Sequence, residues 1–327
     1  MVTNKMPGKF TSRLIRIAGD VISSRGIGKG RFCVINYHRI LECHDPLVDY
    51  EPDVNTFRWE MEFLANCFNV IPLHDAIKLM QTGVMPPRAV CITFDDGYRS
   101  THDIALPILR ELNLTATVFI ATGFIGEGNM WNDRIIEAVR QLPCGQYDLR
   151  DINLGIYDIQ TLQDRKGAIQ QLTEKSKYIQ ANARLELANR LEKYAGSDFS
   201  NSVMLTPEMI MSLVQSGIEI GGHTITHPIL TSLADHNAKY EIAECKQKLE
   251  ALTGKPVNLF AYPNGKVGMD FDKRHVKMAK EAGYTAAFTT AIGAASNKFN
   301  LYQLPRSRPW DTTPLLFGLR ILSWLAR

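Results

Sequence analysis

Two adjacent carboxylates, Asp95 and Asp96, end an apolar, β-prone run that begins at Ala89, and Gly97 follows them. Neighbouring carboxylates repel each other, and burying either one is costly unless a cation lies close to it. Gly97 lets the backbone turn sharply or lets another group approach closely. A helical pattern over 100–112 comes next, so the pair lies on a strand-to-helix loop, where parallel α/β folds place their sites. The alternative for this segment alone is a solvated turn with an aspartate as helix cap.

A second polar group, His223 and His227, lies far along the chain from the carboxylates. The two histidines are four residues apart, but Gly221 and Gly222 before them and Pro228 after them indicate a loop. The pair therefore differs from the helical pair of zinc proteases, which also needs a glutamate between its histidines. Two imidazoles and a carboxylate at a facing strand end predict a catalytic metal site, typically zinc, with a coordination position open to water. Two polar loop histidines, or one capping the next helix, are the alternative.

The elements that must position these residues alternate along the chain. About eight short apolar strands, the last at Leu301–Pro305, alternate with helical patterns, which predicts parallel β/α units. An open sheet would concentrate polar residues at one switch point, and neither a G-x-G-x-x-G turn nor a P-loop is present. We therefore predict an α/β fold that is a distorted or incomplete (β/α) barrel. In such a barrel one mouth collects the polar residues that follow the strands, namely His38, Asp95 with Asp96, His223, Tyr262 and Arg306.

Three further segments define the predicted domain organisation. Residues 141–203 lack strand signals and are rich in Gln, Lys, Glu, Ala and Leu, which predicts a helical insertion into a single domain spanning 1–327. Residues 10–24 and 313–327 predict amphipathic, basic helices near the two ends of the chain. Both helices fit packing on the domain, which we favour, and the second also fits peripheral contact with a membrane surface.

Composition and charge exclude several functional classes. The 327 residues are 45% apolar and 22% charged, which is typical of a globular protein with a large core. The net charge of +3 is not gathered into a basic stripe, so no nucleic-acid partner is predicted. The six cysteines lack a C-x-x-C pair, which predicts a reducing compartment without disulfides. Neither a signal-peptide pattern nor a run of roughly 18 apolar residues is present, so the expected location is cytoplasmic.

Three segments together resemble the polysaccharide deacetylase family of carbohydrate esterases, also called the NodB-homology type: Thr93–Tyr98 (TFDDGY), His223–Pro228 (HTITHP) and Phe260–Gly265 (FAYPNG). The resemblance extends from Tyr37 to Arg306, with 141–203 as a subfamily insertion. The Tyr37-His38-Arg39 start is similar to the branch tied to bacterial exopolysaccharide and surface-glycan synthesis. The resemblance implies a distorted (β/α) barrel that removes N-acetyl groups from amino sugars with a divalent metal.

The resemblance also implies a role for each residue of these motifs. The metal ligands would be Asp96, His223 and His227, and the metal would be zinc, with cobalt, nickel and manganese as alternatives. Asp95 would be the general base for the metal-bound water that attacks the acetamide. The metal and a backbone N–H of the turn that begins at Tyr262, at Asn264, would stabilise the oxyanion.

Two positions depart from the family pattern. Many members carry an arginine that holds the base where this chain has Ala261, and we expect Arg306 to replace it. The alternative is that Arg306 pairs with surface carboxylates. The general acid of the family is often a histidine on a late strand, but no histidine follows Arg306. We expect His38 to replace it, because a closed barrel brings its first and last strands together; a buried structural histidine is the alternative.

Tyr98 and Trp131 complete the predicted site as residues that line the sugar, although each also fits a core position. The predicted function is the removal of N-acetyl groups from amino sugars of a bacterial surface polysaccharide or of its lipid- or nucleotide-linked precursor. A catalytically silent glycan-binding or scaffold protein is one alternative, motivated by Ala261 and the missing late histidine. Hydrolysis of another C–N amide by the same site is the other. The sequence does not specify the sugar or the oligomeric state.

Overall fold

A computed structural model describes residues 9–24, 30–126, 128–179, 181–196 and 202–327. Its strands are β1 (Phe32–Tyr37), β2 (Asn69–Val70), β3 (Ala89–Phe94), β4 (Thr117–Ile120), β5 (Gly145–Asp148), β6 (Ile156–Ile159), β7 (Glu219–Gly222), β8 (Leu259–Ala261), β9 (Ala286–Phe288) and β10 (Ala294–Ala295). Its α-helices are α1 (Lys9–Ser24), α2 (Val54–Cys67), α3 (Leu73–Thr82), α4 (Leu106–Glu111), α5 (Trp131–Gln141), α6 (Leu162–Ser176), α7 (Ala181–Ala195), α8 (Pro207–Gln215), α9 (Asp235–Thr253), α10 (Lys273–Glu281) and α11 (Pro314–Ala326).

The centre of the fold is an eight-stranded sheet in the order β10-β1-β3-β4-β7-β8-β9, with β2 added beside β3. All pairings are parallel except that of β1 with β10. Every residue of β1 and β3 is buried, as expected for strands covered on both faces. Tyr37 pairs with Phe94, so His38 and Asp95 leave the sheet at the same edge.

The segment 301–307 closes the sheet irregularly, and the predicted strand at Leu301–Pro305 is wrong. Leu304 exchanges backbone hydrogen bonds with Ala287 and Thr289 next to β9, and the Ser307 N–H donates to Val34 of β1 at 3.0 Å. Pro305 lacks the N–H that a regular ladder needs, which limits the pairing to single contacts. The sheet thus curls into an incomplete barrel, and the predicted fold class is confirmed.

The insertion contains more than the predicted helices. The helices α6 and α7 follow an antiparallel hairpin of β5 and β6, so the prediction that 141–203 lacks strands is wrong. The two strands are only four residues each and part of each is exposed, so neither gives an alternation long enough to stand out in the sequence. The insertion has a small core of its own with α5, which includes Ile135, Tyr157, Leu172 and Leu187.

The helices α1 and α11 lie side by side on the barrel. Ile15, Phe317 and Ile321 are buried in the main core. Gly318 permits the close approach, because a Cβ there would lie 2.6 Å from the ring of Phe63 and 3.3 Å from Ile15. Among the described residues, no helix has both the length and the apolar character needed to cross a bilayer. All six cysteines are free thiols.

Candidate functional site

The mouth of the barrel brings together two carboxylates, three imidazoles and a guanidinium. Asp95 and Asp96 follow β3, His223 follows β7, and His227 lies on the same loop as His223. His38 follows β1. Arg306 comes from the segment that links β9 to β1. The parallel strands all end at this edge, which explains why residues as far apart in the sequence as His38 and Arg306 meet in space.

The candidate metal centre consists of Asp96, His223 and His227. The Nε2 atoms of the two histidines each lie 3.4 Å from Oδ1 of Asp96. The three potential ligand atoms lie within 4.8 Å of one another. Nδ1 of His223 lies 2.7 Å from the backbone carbonyl of Ala261, which accepts its proton and leaves the Nε2 lone pair directed at the centre.

The protonation states of these groups suit a divalent cation. Oδ1 of Asp96 is buried and has no hydrogen-bond partner among the described residues, which is costly for a carboxylate. Burial opposes ionisation of Asp96, but the imidazoles of His227, His223 and His38 outweigh it and hold the pKa of that carboxyl well below its usual range. Burial lowers the pKa of His227 to about 4, so its imidazole is neutral near pH 7 and can bind a metal. The donor set therefore fits zinc or a similar divalent ion.

Backbone strain is concentrated around this centre. Seven non-glycine residues in the described part of the chain have positive φ, and four of them are at the site. These four are Asp96 (φ 71°), Thr224 (φ 66°), His227 (φ 52°) and Asn264 (φ 57°). The carboxylate of Glu241 holds the histidine loop by accepting hydrogen bonds from the backbone of Ile225 and Thr226 at 2.7 and 2.9 Å. Strained residues held by surrounding contacts are typical of functional sites.

Asp95 and Arg306 form a buried ion pair beside the candidate metal centre. The guanidinium donates to both carboxylate oxygens of Asp95 at 2.6 Å, and the Arg306 side chain is 1% exposed. Asn36 links the pair, because its amide donates to Asp95 and its carbonyl accepts from Arg306, both at 3.2 Å. Burial opposes ionisation of Asp95, but Arg306 outweighs it and lowers the pKa of the carboxyl. Asp95 is therefore a fixed carboxylate at neutral pH, with its charge balanced by the guanidinium of Arg306.

His38 lies at the entrance of the site, not in the core. Its imidazole is 46% exposed, and Nε2 lies 3.9 Å from Oδ2 of Asp95. Partial burial lowers the pKa of His38, but the carboxylates of Asp96, Glu51 and Asp95 outweigh it and raise the pKa above its ordinary value. A divalent cation on Asp96 would offset part of that attraction.

A cavity of about 640 Å³ opens above these groups and is wide enough for a sugar residue with neighbours. Three exposed aromatic side chains line it: Tyr50 (48% exposed), Tyr178 (56%) and Trp310 (66%). Sequence reasoning missed all three, because they lie outside helices and strands, where no periodic pattern shows which way a side chain faces. The insertion supplies Tyr178 and, from α6, part of one wall of the cavity.

A profile of the polysaccharide deacetylase family matches residues 82–287. This chain belongs to that family. The match includes Asp95 and all three residues of the candidate metal centre, and it ends before Arg306.

Relatives with assigned names come from several bacteria. YxkH of Bacillus subtilis, a protein named for the same family, is 30% identical over 237 residues, which are 72% of this chain and 57% of YxkH. The poly-beta-1,6-N-acetyl-D-glucosamine N-deacetylase of Staphylococcus epidermidis is 24% identical over 232 residues, which are 64% of this chain and 77% of the relative. This chain thus spans little more than half the length of YxkH.

Solved structures show the same fold. The Streptococcus pyogenes deacetylase PplD in complex with acetate has a TM-score of 0.59 at 18% identity, covering 90% of this chain and 98% of PplD. IcaB from Ammonifex degensii has a TM-score of 0.56 at 17% identity, covering 91% of this chain and 97% of IcaB. At these identities the likeness concerns the fold alone.

The other predicted site residues of this deacetylase-family chain line the same cavity. The N–H of Asn264 has no hydrogen-bond partner among the described residues, so it is a free donor at the turn after β8. The Tyr262 ring is buried against Phe271 with a centroid separation of 3.7 Å. The guanidinium of Arg184 lies over the ring of Trp131 at 5.1 Å, and the buried Nε1–H of Trp131 has no hydrogen-bond partner among the described residues.

Tyr98 and Asp133 form a second buried polar pair in the cavity wall. The Tyr98 hydroxyl donates to Oδ2 of Asp133 at 3.1 Å, and Arg39 lies 4.0 Å from the same carboxylate. Burial, opposed by Arg39 and assisted by the charge of Asp96, raises the pKa of Asp133 to about 7. Sequence reasoning did not assign a role to Asp133, although an acid at the start of a helix next to glycine-rich loop residues was a visible signal.

The stability of the metal-free protein is expected to fall as the pH rises from about 4 to about 7, because of Asp133. In that interval the folded state keeps a proton on Asp133 that the unfolded chain releases, so protonation favours the folded state at the acidic end. Asp133→Asn should flatten this interval in urea unfolding measured between pH 4 and 8. Asp158→Asn, at an exposed acid on β6, is the matched control. An unchanged pH dependence in Asp133→Asn would contradict the assignment.

Proposed function

We propose that this chain is a metal-dependent deacetylase that removes acetyl groups from N-acetylated amino sugars of a bacterial surface polysaccharide or its precursor. The proposal rests on one observation, that the two adjacent carboxylates have different partners. Asp96 faces two imidazoles with an unpartnered oxygen, while Asp95 is held by Arg306, and both lie at the floor of the cavity. Membership of the family and the curated names of its relatives support this choice of chemistry.

Asp96, His223 and His227 would hold the metal. A divalent ion bound there would supply Lewis acidity that activates a water molecule and polarises the amide carbonyl. The role of Asp96 and the two imidazoles is to fix the position of that charge. The hydrogen bond from His223 Nδ1 to Ala261 fixes the ring orientation, and the low pKa of His227 keeps the second imidazole neutral.

Proton transfer falls to residues that do not bind the metal. Asp95 accepts the proton of the attacking water, and the two hydrogen bonds from Arg306 hold its carboxylate in place for that transfer. The free N–H of Asn264 donates to the oxygen that gains negative charge. His38, exposed at the entrance and 3.9 Å from Asp95, donates a proton to the departing amine.

The exposed aromatics favour a glycan of several sugars as the substrate. Sugar rings present apolar C–H faces that stack on aromatic side chains, and exposed Tyr and Trp at a cavity edge are suited to that contact. Tyr50, Tyr178 and Trp310 line the same cavity as Asp95 and Asp96, and all three are exposed. The Staphylococcus epidermidis relative is named for deacetylation of a polymer of β-1,6-linked N-acetylglucosamine, which makes that linkage the first candidate.

Trp310→Ala is expected to raise the KM for a pentamer of β-1,6-linked N-acetylglucosamine by about threefold to tenfold. The KM for a single N-acetylated sugar and the kcat for the pentamer should change little, because Trp310 contacts sugars away from the reacting amide. Tyr240→Ala, at a residue 61% exposed on α9, is the matched control. The measurement is acetate release over a range of substrate concentrations. An unchanged pentamer KM would contradict the role of Trp310.

The test of the proposed function is acetate release from N-acetylated sugar oligomers by protein loaded in turn with zinc, cobalt, nickel or manganese. Release should stop with a chelator and with Asp96→Asn, and the bound metal should be lost in both cases. Glycan binding with metal present but without release would favour the silent glycan-binding or scaffold alternative. Release from a formylated sugar or a cyclic ureide, and not from acetylated sugars, would favour the other amide-hydrolase alternative.

A further inference from the structure

The paired helices α1 and α11 carry an apolar face that points away from the barrel. Six aliphatic side chains on these helices are between 40% and 52% exposed, and we call them the outer face: Leu14, Ile17, Val21, Leu315, Leu316 and Leu319. Single exposed aliphatic residues are ordinary on a protein surface, but six on two adjacent helices mark an interaction site.

Helix α1 has apolar residues on two sides, because Ile15 is buried in the main core while Leu14, Ile17 and Val21 are exposed, and part of its polar side also contacts the protein. Asp20 pairs with Arg88 at 2.6 Å, and the hydroxyl of Ser23 accepts from the Arg88 backbone N–H at 3.0 Å. Leu14, Ile17 and Val21 repeat at spacings of three and four and therefore share the opposite side. A surface helix normally buries its apolar stripe. Outward exposure of that stripe indicates a partner that covers it.

The two helices lie against each other. A Cβ at Gly19 would lie 3.0 Å from Leu322 of α11, and one at Gly318 would lie 3.3 Å from Ile15 of α1. The pairs 15 with 318 and 19 with 322 advance together along the chain, so the helices run parallel and in close contact. The outer face is therefore carried by two adjacent helices, whose mutual contact is made by other, buried residues.

The charges beside the outer face are cationic. Arg13, Arg16 and Arg327 are exposed, and none of them forms an ion pair within the described part of the chain. The acids on these helices and just before α11 are neutralised, because Asp20 pairs with Arg88 and Asp311 pairs with Arg320. A second copy of the chain would bring like charges together on this face, whereas an anionic lipid surface is complementary to it.

We propose that the outer face docks this protein on an anionic lipid bilayer, with the aliphatic side chains in the acyl boundary and the arginines at the headgroups. The docking is peripheral. Leu315 on the outer face is five positions after Trp310 at the cavity, so their Cα atoms are at most about 18 Å apart. The mouth of the cavity therefore lies close to the bilayer surface, within reach of a glycan held at the membrane.

The experiment is flotation of the full chain with vesicles of phosphatidylcholine alone and with vesicles that also contain phosphatidylglycerol. The protein should float with the anionic vesicles, and Ile17→Glu with Leu319→Glu should lower the partition coefficient by more than tenfold. Arg13→Gln with Arg16→Gln should lower binding to anionic vesicles by about fivefold for each arginine and leave binding to neutral vesicles unchanged. Leu162→Glu, at a residue 52% exposed on the insertion, is the matched control.

Absence of flotation, or an equal loss in Leu162→Glu, would overturn the proposal. A dimer in analytical ultracentrifugation that Ile17→Glu dissociates would also overturn it, because a second copy would then cover the outer face. Thermal melts establish that the variants are folded. Acetate release from a soluble oligosaccharide does not involve the outer face, so it should be unchanged in Ile17→Glu with Leu319→Glu. This readout separates a failure of docking from a failure of the proposed catalytic function.

Discussion

Asp95→Asn is expected to lower the kcat of acetate release by about 10²- to 10⁴-fold while the protein keeps its bound metal. Asparagine has nearly the shape of aspartate but cannot accept the proton of the attacking water. The candidate metal ligands are Asp96, His223 and His227 and do not include Asp95, so we expect the metal content to be unchanged. Steady-state acetate release and metal analysis of the same sample test both halves of this expectation.

Two controls sharpen the result. Asp96→Asn should lose metal and activity together, whereas Asp95→Asn should lose activity alone. This difference distinguishes the roles of the two adjacent residues. Asp95→Glu keeps the charge near Arg306 but moves the carboxylate by one methylene, so activity should fall while stability falls less than in Asp95→Asn. Retention of more than a tenth of the activity in Asp95→Asn would rule out Asp95 as the base. Loss of metal from that variant would assign Asp95 to the coordination sphere.

The convergence of the site could be predicted from the sequence because it follows from topology. Parallel strands all end at one edge, so polar residues at strand ends must meet, whatever the details of packing. This rule alone places Asp96 near His223 and His38 near Asp95. The incomplete closure of the barrel could not be predicted in the same way. It depends on single β-bridges, such as that of Phe288 with Leu304, which leave no periodic pattern in the sequence.

The residues that sequence reasoning missed act through long-range contacts. Asn36 was visible as the one amide in an apolar strand, but its bridging of Asp95 and Arg306 depends on contacts 59 and 270 residues away. Tyr178 and Trp310 lie on segments whose path depends on the insertion and on the closure of the barrel. The hairpin of β5 and β6 was missed because its strands are half-exposed and only four residues long.

The departure from the family pattern at Ala261 bears on the choice between catalysis and silent binding. The Asp95–Arg306 pair brings a guanidinium to the base from a different part of the chain. A buried ion pair contributes little to stability compared with an apolar pair of the same volume. Its presence beside the candidate metal centre therefore favours a chain in which the position of Asp95 matters. The substitution of Arg306 tests this directly.

Arg306→Met is expected to destabilise the protein by about 3–5 kcal/mol at neutral pH, because it leaves the Asp95 carboxylate buried without its cation. In the unsubstituted protein Arg306 lowers the pKa of Asp95, so the pair stabilises the fold above the ordinary pKa of an aspartate and loses this effect as the pH falls through the lowered value. Without Arg306, burial alone raises that pKa. The stability deficit should therefore shrink as the pH falls and Asp95 takes up a proton.

The effect of Arg306 on catalysis should share this pH signature, which a purely structural role would not produce. In Arg306→Met the acidic limb of the pH profile of kcat should move to higher pH, and Arg306→Lys should move it less, because lysine keeps the charge but not the two parallel hydrogen bonds. The double variant Asp95→Asn with Arg306→Met should regain part of the stability and none of the activity. Urea unfolding and acetate release, each between pH 4 and 8, give these quantities. An acidic limb that stays in place in a folded Arg306→Met protein would show that Arg306 supports the fold without setting the state of the base.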